Sequence, residues 1–125
     1  MSKVAVVHSS YYPKITSNLV LGIERDLNKS FTIDKYSVPG AWELISKINK
    51  LTKDYDKFIA VAIICKGQTD HYEYISNSVN NGLINLTITK NIYIANCVLN
   101  VTSLAQAKNR SRYVKNDKNA KNKGS

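Results

Sequence analysis

The stretch Phe58 to Cys65, "FIAVAIIC", is apolar without interruption. A strand with one wet face alternates apolar and polar residues, whereas a strand covered on both faces reads as a continuous apolar run. The run is also far shorter than the roughly 18 residues that a membrane-crossing helix requires. It therefore predicts a central strand in a sheet covered by helices on both sides, which leaves few architectures open. The residues that follow are unusual for a connector. Lys66 leads into "GQTDHYEY", Gly67 to Tyr74, where a turn residue and a helix cap would have been enough.

The rest of the chain alternates around this strand. "KVAVVH", Lys3 to His8, is a second apolar, β-branched run. Ile15, Leu19, Ile23 and Leu27 then recur at helical spacing, with Thr16 or Ser17 placed to cap the start. "FTIDKYSV", Phe31 to Val38, alternates as a strand does, and Pro39-Gly40 ends it. Trp42, Leu44, Ile45, Ile48 and Leu51 resume the helical period. After His71, the positions of Tyr72, Ile75, Val79, Leu83 and Leu86 mark a third helix. "NIYIANCVL", residues 91–99, reads as the fourth strand, and Thr102 caps a short helix with Leu104, Ala105 and Ala107. Four strand–helix alternations with short connections predict a three-layer α/β/α sandwich around a mostly parallel four-stranded sheet, with right-handed crossovers. The domain is expected over residues 1–112, with a basic, irregular tail at 113–125.

Composition narrows the partners. A chain of 125 residues with 43% hydrophobic and 22% charged residues is one folded domain, not a disordered chain. No apolar run is long enough to span a bilayer, so no membrane partner is expected. A strand beginning at Lys3 leaves no room for a signal peptide, and the expected location is cytoplasmic. The net charge of +9 is concentrated at one end, because Lys108 to Ser125 holds seven basic residues against Asp117. That segment has Tyr113 as its single aromatic and lacks the interleaved rings that stack on bases, so nucleic acid is not an expected partner. Cys65 and Cys97 have no neighbouring Cys/His cluster and predict small apolar packing, not a metal site.

In parallel sheets ligands bind beyond the carboxyl ends of the strands. Here those ends are Ser9 to Pro13, Pro39 to Glu43, Gly67 to His71 and Asn100 to Thr102. Gly67-Gln68-Thr69 entering a helix offers backbone N–H groups and the positive end of a dipole to a phosphate; the same residues also suit ordinary capping by Thr69 or Asp70. His71 can exchange a proton near neutrality, or pack at the helix start. His8, at the end of the first strand, is read as structural. Glu43 can favour the helix dipole or accept hydrogen bonds from a hydroxyl-rich ligand. Tyr11 and Tyr12 offer flat surfaces, and Arg110 could clamp a phosphate bidentately. Together these groups suit a phosphorylated substrate that also has hydroxyls and a flat ring.

The segments "VPGAWEL" (Val38 to Leu44), "KGQTDHYEYI" (Lys66 to Ile75) and "SLAQAKNR" (Ser103 to Arg110) resemble, in order and spacing, three signatures of the 6,7-dimethyl-8-ribityllumazine synthase family. "YYPKITSNLVLG" resembles that family's first strand-to-helix segment, and the likeness runs from Lys3 to Arg110. The resemblance implies a flavodoxin-like fold and a cofactor-free condensation in riboflavin synthesis. A ribitylaminouracil and a four-carbon dihydroxybutanone phosphate give the lumazine. On this resemblance Tyr11 stacks on the pyrimidine ring, Ala41 and Glu43 match the segment that holds the ribityl chain, and Trp42 between them is expected among the substrate-binding residues. The backbone at Ile64 and Cys65 reads the polar edge of the ring. Gln68, Thr69 and Arg110 match the phosphate pocket, His71 the proton-transfer residue and Lys123 a lysine that reaches the substrate.

Three departures follow from the same resemblance. Asn96 stands where the family usually places an aromatic contributed by a neighbouring subunit. Arg112 to Lys121 replaces a short turn between the family's last two helices, and the sequence stops where a final helix would follow. The family's site lies between subunits of a pentamer, so the expectation is a homo-oligomer, a pentamer or decamer without an icosahedral shell. A second reading is a degenerate, non-catalytic member that assembles or binds ligand. Asn96 and the missing or reduced C-terminal helix favour it; intact Glu43, Thr69, His71 and Arg110 oppose it.

Overall fold

The computed structural model describes residues 2–66 and 72–111. Gln68, Thr69, His71 and Lys123 lie outside the described residues. The chain runs β1 (Ser2–Ser9), α1 (Pro13–Leu27), β2 (Phe31–Val38), a 3₁₀ turn (Ala41–Glu43), α2 (Leu44–Leu51), β3 (Lys57–Cys65), α3 (Tyr72–Thr89), β4 (Tyr93–Val101) and α4 (Leu104–Arg110).

All strand pairings are parallel and the order is β2-β1-β3-β4. Ala5 of β1 pairs with Asp34 on one side and with Phe58 on the other. β3 pairs with β4 along its whole length, from Lys57 opposite Tyr93 to Cys65 opposite Val101. The uninterrupted run of β3 is thus central and covered on both faces. Phe58, Ala60, Ala62 and Ile64 pack with Leu44 and Ile48 of α2 and with Val79, Leu83 and Leu86 of α3. Ile59, Val61, Ile63 and Cys65 face the other way, with Ile15, Leu19 and Ile23 of α1 and Ala107 of α4. Each large apolar side chain buried this way contributes roughly 1.5–3 kcal/mol. α2 and α3 approach closely because position 82 is glycine; a Cβ there would lie 2.9 Å from Ile45 Cδ1.

Three local boundaries differ from the sequence expectation. α1 starts at Pro13, with Thr16 already inside it, buried and donating to the Tyr12 carbonyl at 3.1 Å. Proline's fixed φ and missing N–H suit the first helical position. β4 starts at Tyr93, because Asn91 takes φ 53 and turns the chain, and Tyr93 N–H donates to the Asp56 carbonyl at 2.9 Å. Asparagine tolerates that left-handed region better than most residues. The cap of α4 is Ser103, not Thr102: its hydroxyl accepts from Gln106 N–H, while Gln106 Oε1 accepts from Thr102 N–H at 3.0 Å. This reciprocal Ser-x-x-Gln arrangement is a form of capping box.

Candidate active site

β1 and β3 are neighbours, but the chain visits β2 between them, so the sheet's switch point falls at their carboxyl ends. Crevices form there because the helices that follow depart to opposite faces. A cleft of about 320 Å³ occupies the place. Tyr11 and Tyr12 line it from the end of β1, Pro39 to Glu43 from the end of β2, Ile63 to Cys65 from the end of β3, and Ile75 from α3.

Each wall has a local cause. Ser10 N–H and hydroxyl both donate to the Val38 carbonyl, at 2.8 and 3.3 Å, and Tyr11 N–H donates to Ser9 Oγ at 3.1 Å. These bonds tie the segment after β1 to the end of β2. They leave Tyr11 65% exposed, edge-on to Tyr12 with ring centroids 4.8 Å apart. An exposed ring at the mouth of a cleft is surface on which a flat heterocycle can stack. Burial pushes the Tyr12 phenol above its ordinary pKa, with Cys65 and Tyr11 adding to the shift.

Glu43 N–H donates to the Gly40 carbonyl at 3.2 Å, closing the 3₁₀ turn. Its carboxylate folds back over Gly40, so that a Cβ at Gly40 would sit 3.3 Å from Glu43 Oε1. Trp42 stacks on Tyr74 of α3, with centroids 5.9 Å apart and planes 19° apart. Ile64 and Cys65 point to opposite faces of the sheet, yet both line the cleft, because it wraps over the end of β3. Lys66 N–H donates to the Val101 carbonyl at 2.8 Å and carries the β3–β4 pairing one residue further.

The cleft thus unites Tyr11, Ala41, Trp42, Glu43, Ile64 and Cys65 of the sequence-predicted residues. Arg110 stands apart, exposed on the last turn of α4. Asn96 also stands apart: its Nδ2 donates to Asn80 Oδ1 of α3 at 3.3 Å, and its Oδ1 accepts from Val98 N–H at 2.8 Å. His8 lines a separate cleft of about 260 Å³ with the Glu24–Lys35 ion pair. Burial, and then Lys35, hold its pKa below the ordinary imidazole value. Ile63 and Ile75 were not singled out from the sequence as site residues. Nothing in an apolar period marks which core residue closes a cleft. Among the described residues no His/Cys/Asp/Glu group could hold a metal ion, and no helix is long and apolar enough to cross a membrane.

A parallel sheet of order 2-1-3-4, covered on both faces, with an aromatic-lined cleft and one carboxylate at its switch point, defines a flavodoxin-like α/β protein. The family model described as 6,7-dimethyl-8-ribityllumazine synthase matches residues 1–125. Proteins of that name are similar to this chain in several bacteria. The one from Buchnera aphidicola is 35% identical over 111 residues, 83% of this chain and 70% of that protein. The one from Bartonella tribocorum is 33% identical over 122 residues, 93% and 78% of the two chains. The one from Limosilactobacillus reuteri is 32% identical over 114 residues, 88% and 75%. The chain belongs to the 6,7-dimethyl-8-ribityllumazine synthase family.

Proposed function

We propose that the chain is a working lumazine synthase. It condenses 5-amino-6-(D-ribitylamino)uracil with 3,4-dihydroxy-2-butanone 4-phosphate to 6,7-dimethyl-8-ribityllumazine, the penultimate step of riboflavin synthesis, without a cofactor. The observation that carries this reading is the cleft, where Tyr11, Ala41 to Glu43, Ile64 and Cys65 meet from three different strand ends. In this reading the uracil ring lies on Tyr11, its polar edge meets the main chain at Ile64 and Cys65, and the ribityl hydroxyls donate to the Glu43 carboxylate. Gln68, Thr69 and Arg110 take the phosphate, and Lys123 reaches the substrate. His71 moves protons as the amine attacks the ketone, phosphate leaves and the second ring closes. Each of these steps needs a group that exchanges protons near neutrality, which an imidazole does. Mixing both substrates with the protein should give the lumazine's absorbance and one released phosphate per product. Tight binding of the ribitylaminouracil with no product would instead establish the non-catalytic reading.

The same proposal includes assembly into a pentamer or decamer with shared sites. Asn96 lies outside the cleft of its own chain, as a residue serving a neighbour's cleft would. Ile84, Ile88 and Tyr93 also keep more than half their surface exposed on α3 and β4. Mass photometry at physiological salt checks this, and a monomer or a sixty-subunit shell would refute it. The cytoplasm is the location that suits a biosynthetic enzyme of this kind, and cell fractionation tests it.

A further inference from the structure

Trp42 lines two cavities at once. It faces the cleft beside Glu43, and it also lines a groove of about 750 Å³ between α2 and α3 that includes Ile45 and Gly82. Trp42 is thus common to both linings. It is 55% exposed and sits on a single 3₁₀ turn, so neither burial nor a long hydrogen-bond ladder fixes it. Tyr74 supplies the missing constraint through the stack described above, within the range of favourable aromatic pairs. Tyr74 is itself 64% exposed, and it does not line the cleft. The next residue, Ile75, does line it, and Ser76 Oγ donates to Asn100 Oδ1 of β4 at 2.6 Å. The first turns of α3 are therefore braced on both sides of Ile75, by Tyr74 against the 3₁₀ turn and by Ser76 against β4.

We propose that Tyr74 is a positioning residue: its ring holds Trp42 as a wall of the cleft and so sets affinity for the ribitylated pyrimidine, without touching it. The proposal rests on the function given above for this cleft. It assigns Tyr74 no part in binding the phosphorylated substrate or in proton transfer, so its effect falls on one KM alone.

Trp42 is the only tryptophan in the chain, so its fluorescence reports on the stack directly. Tyr74→Ala should raise the acrylamide quenching of Trp42 and raise KM for the ribitylaminouracil roughly two- to tenfold, the range that aromatic pairs are worth. The value of kcat and KM for the butanone phosphate should stay unchanged. Tyr74→Phe keeps the ring and should restore wild-type quenching and KM. Tyr74→Leu serves the same comparison if the alanine variant does not fold. Wild-type quenching in Tyr74→Ala, equal rises in both KM values, or a Tyr74→Phe variant no better than alanine would each overturn the proposal. An inactive wild type would overturn the functional reading alone; the quenching comparison and a fluorescence titration with the ribitylaminouracil would still judge the stack.

Discussion

Tyr11, Trp42 and Tyr74, at the carboxyl end of the sheet, each keep more than half their surface exposed, whereas Tyr55, at the entry to β3, keeps 8%. Tyr55 packs edge-to-face on Tyr36 and Phe58, with ring centroids 5.9 and 6.1 Å away. Its hydroxyl donates to Asp34 Oδ2 at 2.5 Å and meets the Tyr36 hydroxyl at 2.7 Å. Lys3 and Lys47 lie over the Tyr55 and Tyr36 rings. The hydrogen bond to Asp34, then the one to Tyr36, then burial push the Tyr55 phenol well above its ordinary pKa. The same residue type thus has two fates. Where ring and hydroxyl are both engaged, tyrosine contributes to stability; where the ring stays open at a strand end, as at Tyr11, it leaves surface on which a flat ring can stack. Substitutions at the two ends should separate accordingly.

The largest effect is expected of the residue proposed to move protons. His71→Ala should lower kcat by roughly 10²–10⁴-fold, the usual contribution of a positioned acid–base group, with an unchanged melting temperature. Wild-type turnover across neutral pH in that variant would remove His71 from the mechanism. Glu43→Ala should raise KM for the ribitylaminouracil, and Arg110→Ala KM for the butanone phosphate, each by roughly tenfold or more, as losing a hydrogen bond to a charged group does. Steady-state kinetics with each substrate varied in turn checks the separation. Equal losses towards both substrates in both variants would dissolve it.

Tyr55→Phe should do the opposite and leave both KM values alone. It should cost about 1.5 kcal/mol of stability, the low end for a hydrogen bond to a charged group because Asp34 is partly solvated. The pH dependence has a definite sign. A phenol whose pKa is raised on folding contributes stability that is complete below its unfolded pKa near 10 and is lost as pH rises toward its folded value. Urea unfolding at pH 8 and above pH 10 should therefore show the gap between wild type and Tyr55→Phe narrowing at the higher pH.

The smallest change tests how finely the cleft is built. Gly40 has φ −153, an extended conformation open to any residue, so Gly40→Ala brings no backbone strain. Its new methyl would nonetheless meet Glu43 Oε1 at 3.3 Å and shift the carboxylate by a few tenths of an ångström. KM for the ribitylaminouracil should rise severalfold while stability stays within about 0.5 kcal/mol, as expected of a substitution outside the core. An unchanged KM would mean that the placement of Glu43 over Gly40 has no bearing on binding.

Strand and helix periods were legible because burial writes them directly: the run from Phe58 to Cys65 is β3, and Tyr72 to Leu86 falls on α3. The segment after Pro39-Gly40 was legible as the end of a strand, and the structure places Pro39 to Glu43 in the wall of the cleft. Boundaries were less legible. Thr16, Ser17 and Thr102 all carry capping chemistry, and only the chain path decided for Pro13 and Ser103. The pairing of Asn96 with Asn80 was not legible at all, because nothing local links a strand residue to one 16 positions earlier.

The sequence by itself determined the alternation of elements, the double-sided burial of β3 and the motifs that carry the family. These depend on neighbours along the chain, where periodicity, turn residues and side-chain type suffice. Only the tertiary structure decided that β1 lies between β2 and β3, that Trp42 meets Tyr74, and that Tyr55 reaches Asp34. Those contacts join residues 21 and more positions apart. Their geometry is set by how two helical layers close over one twisted sheet, a condition on the whole chain that no local stretch of it contains.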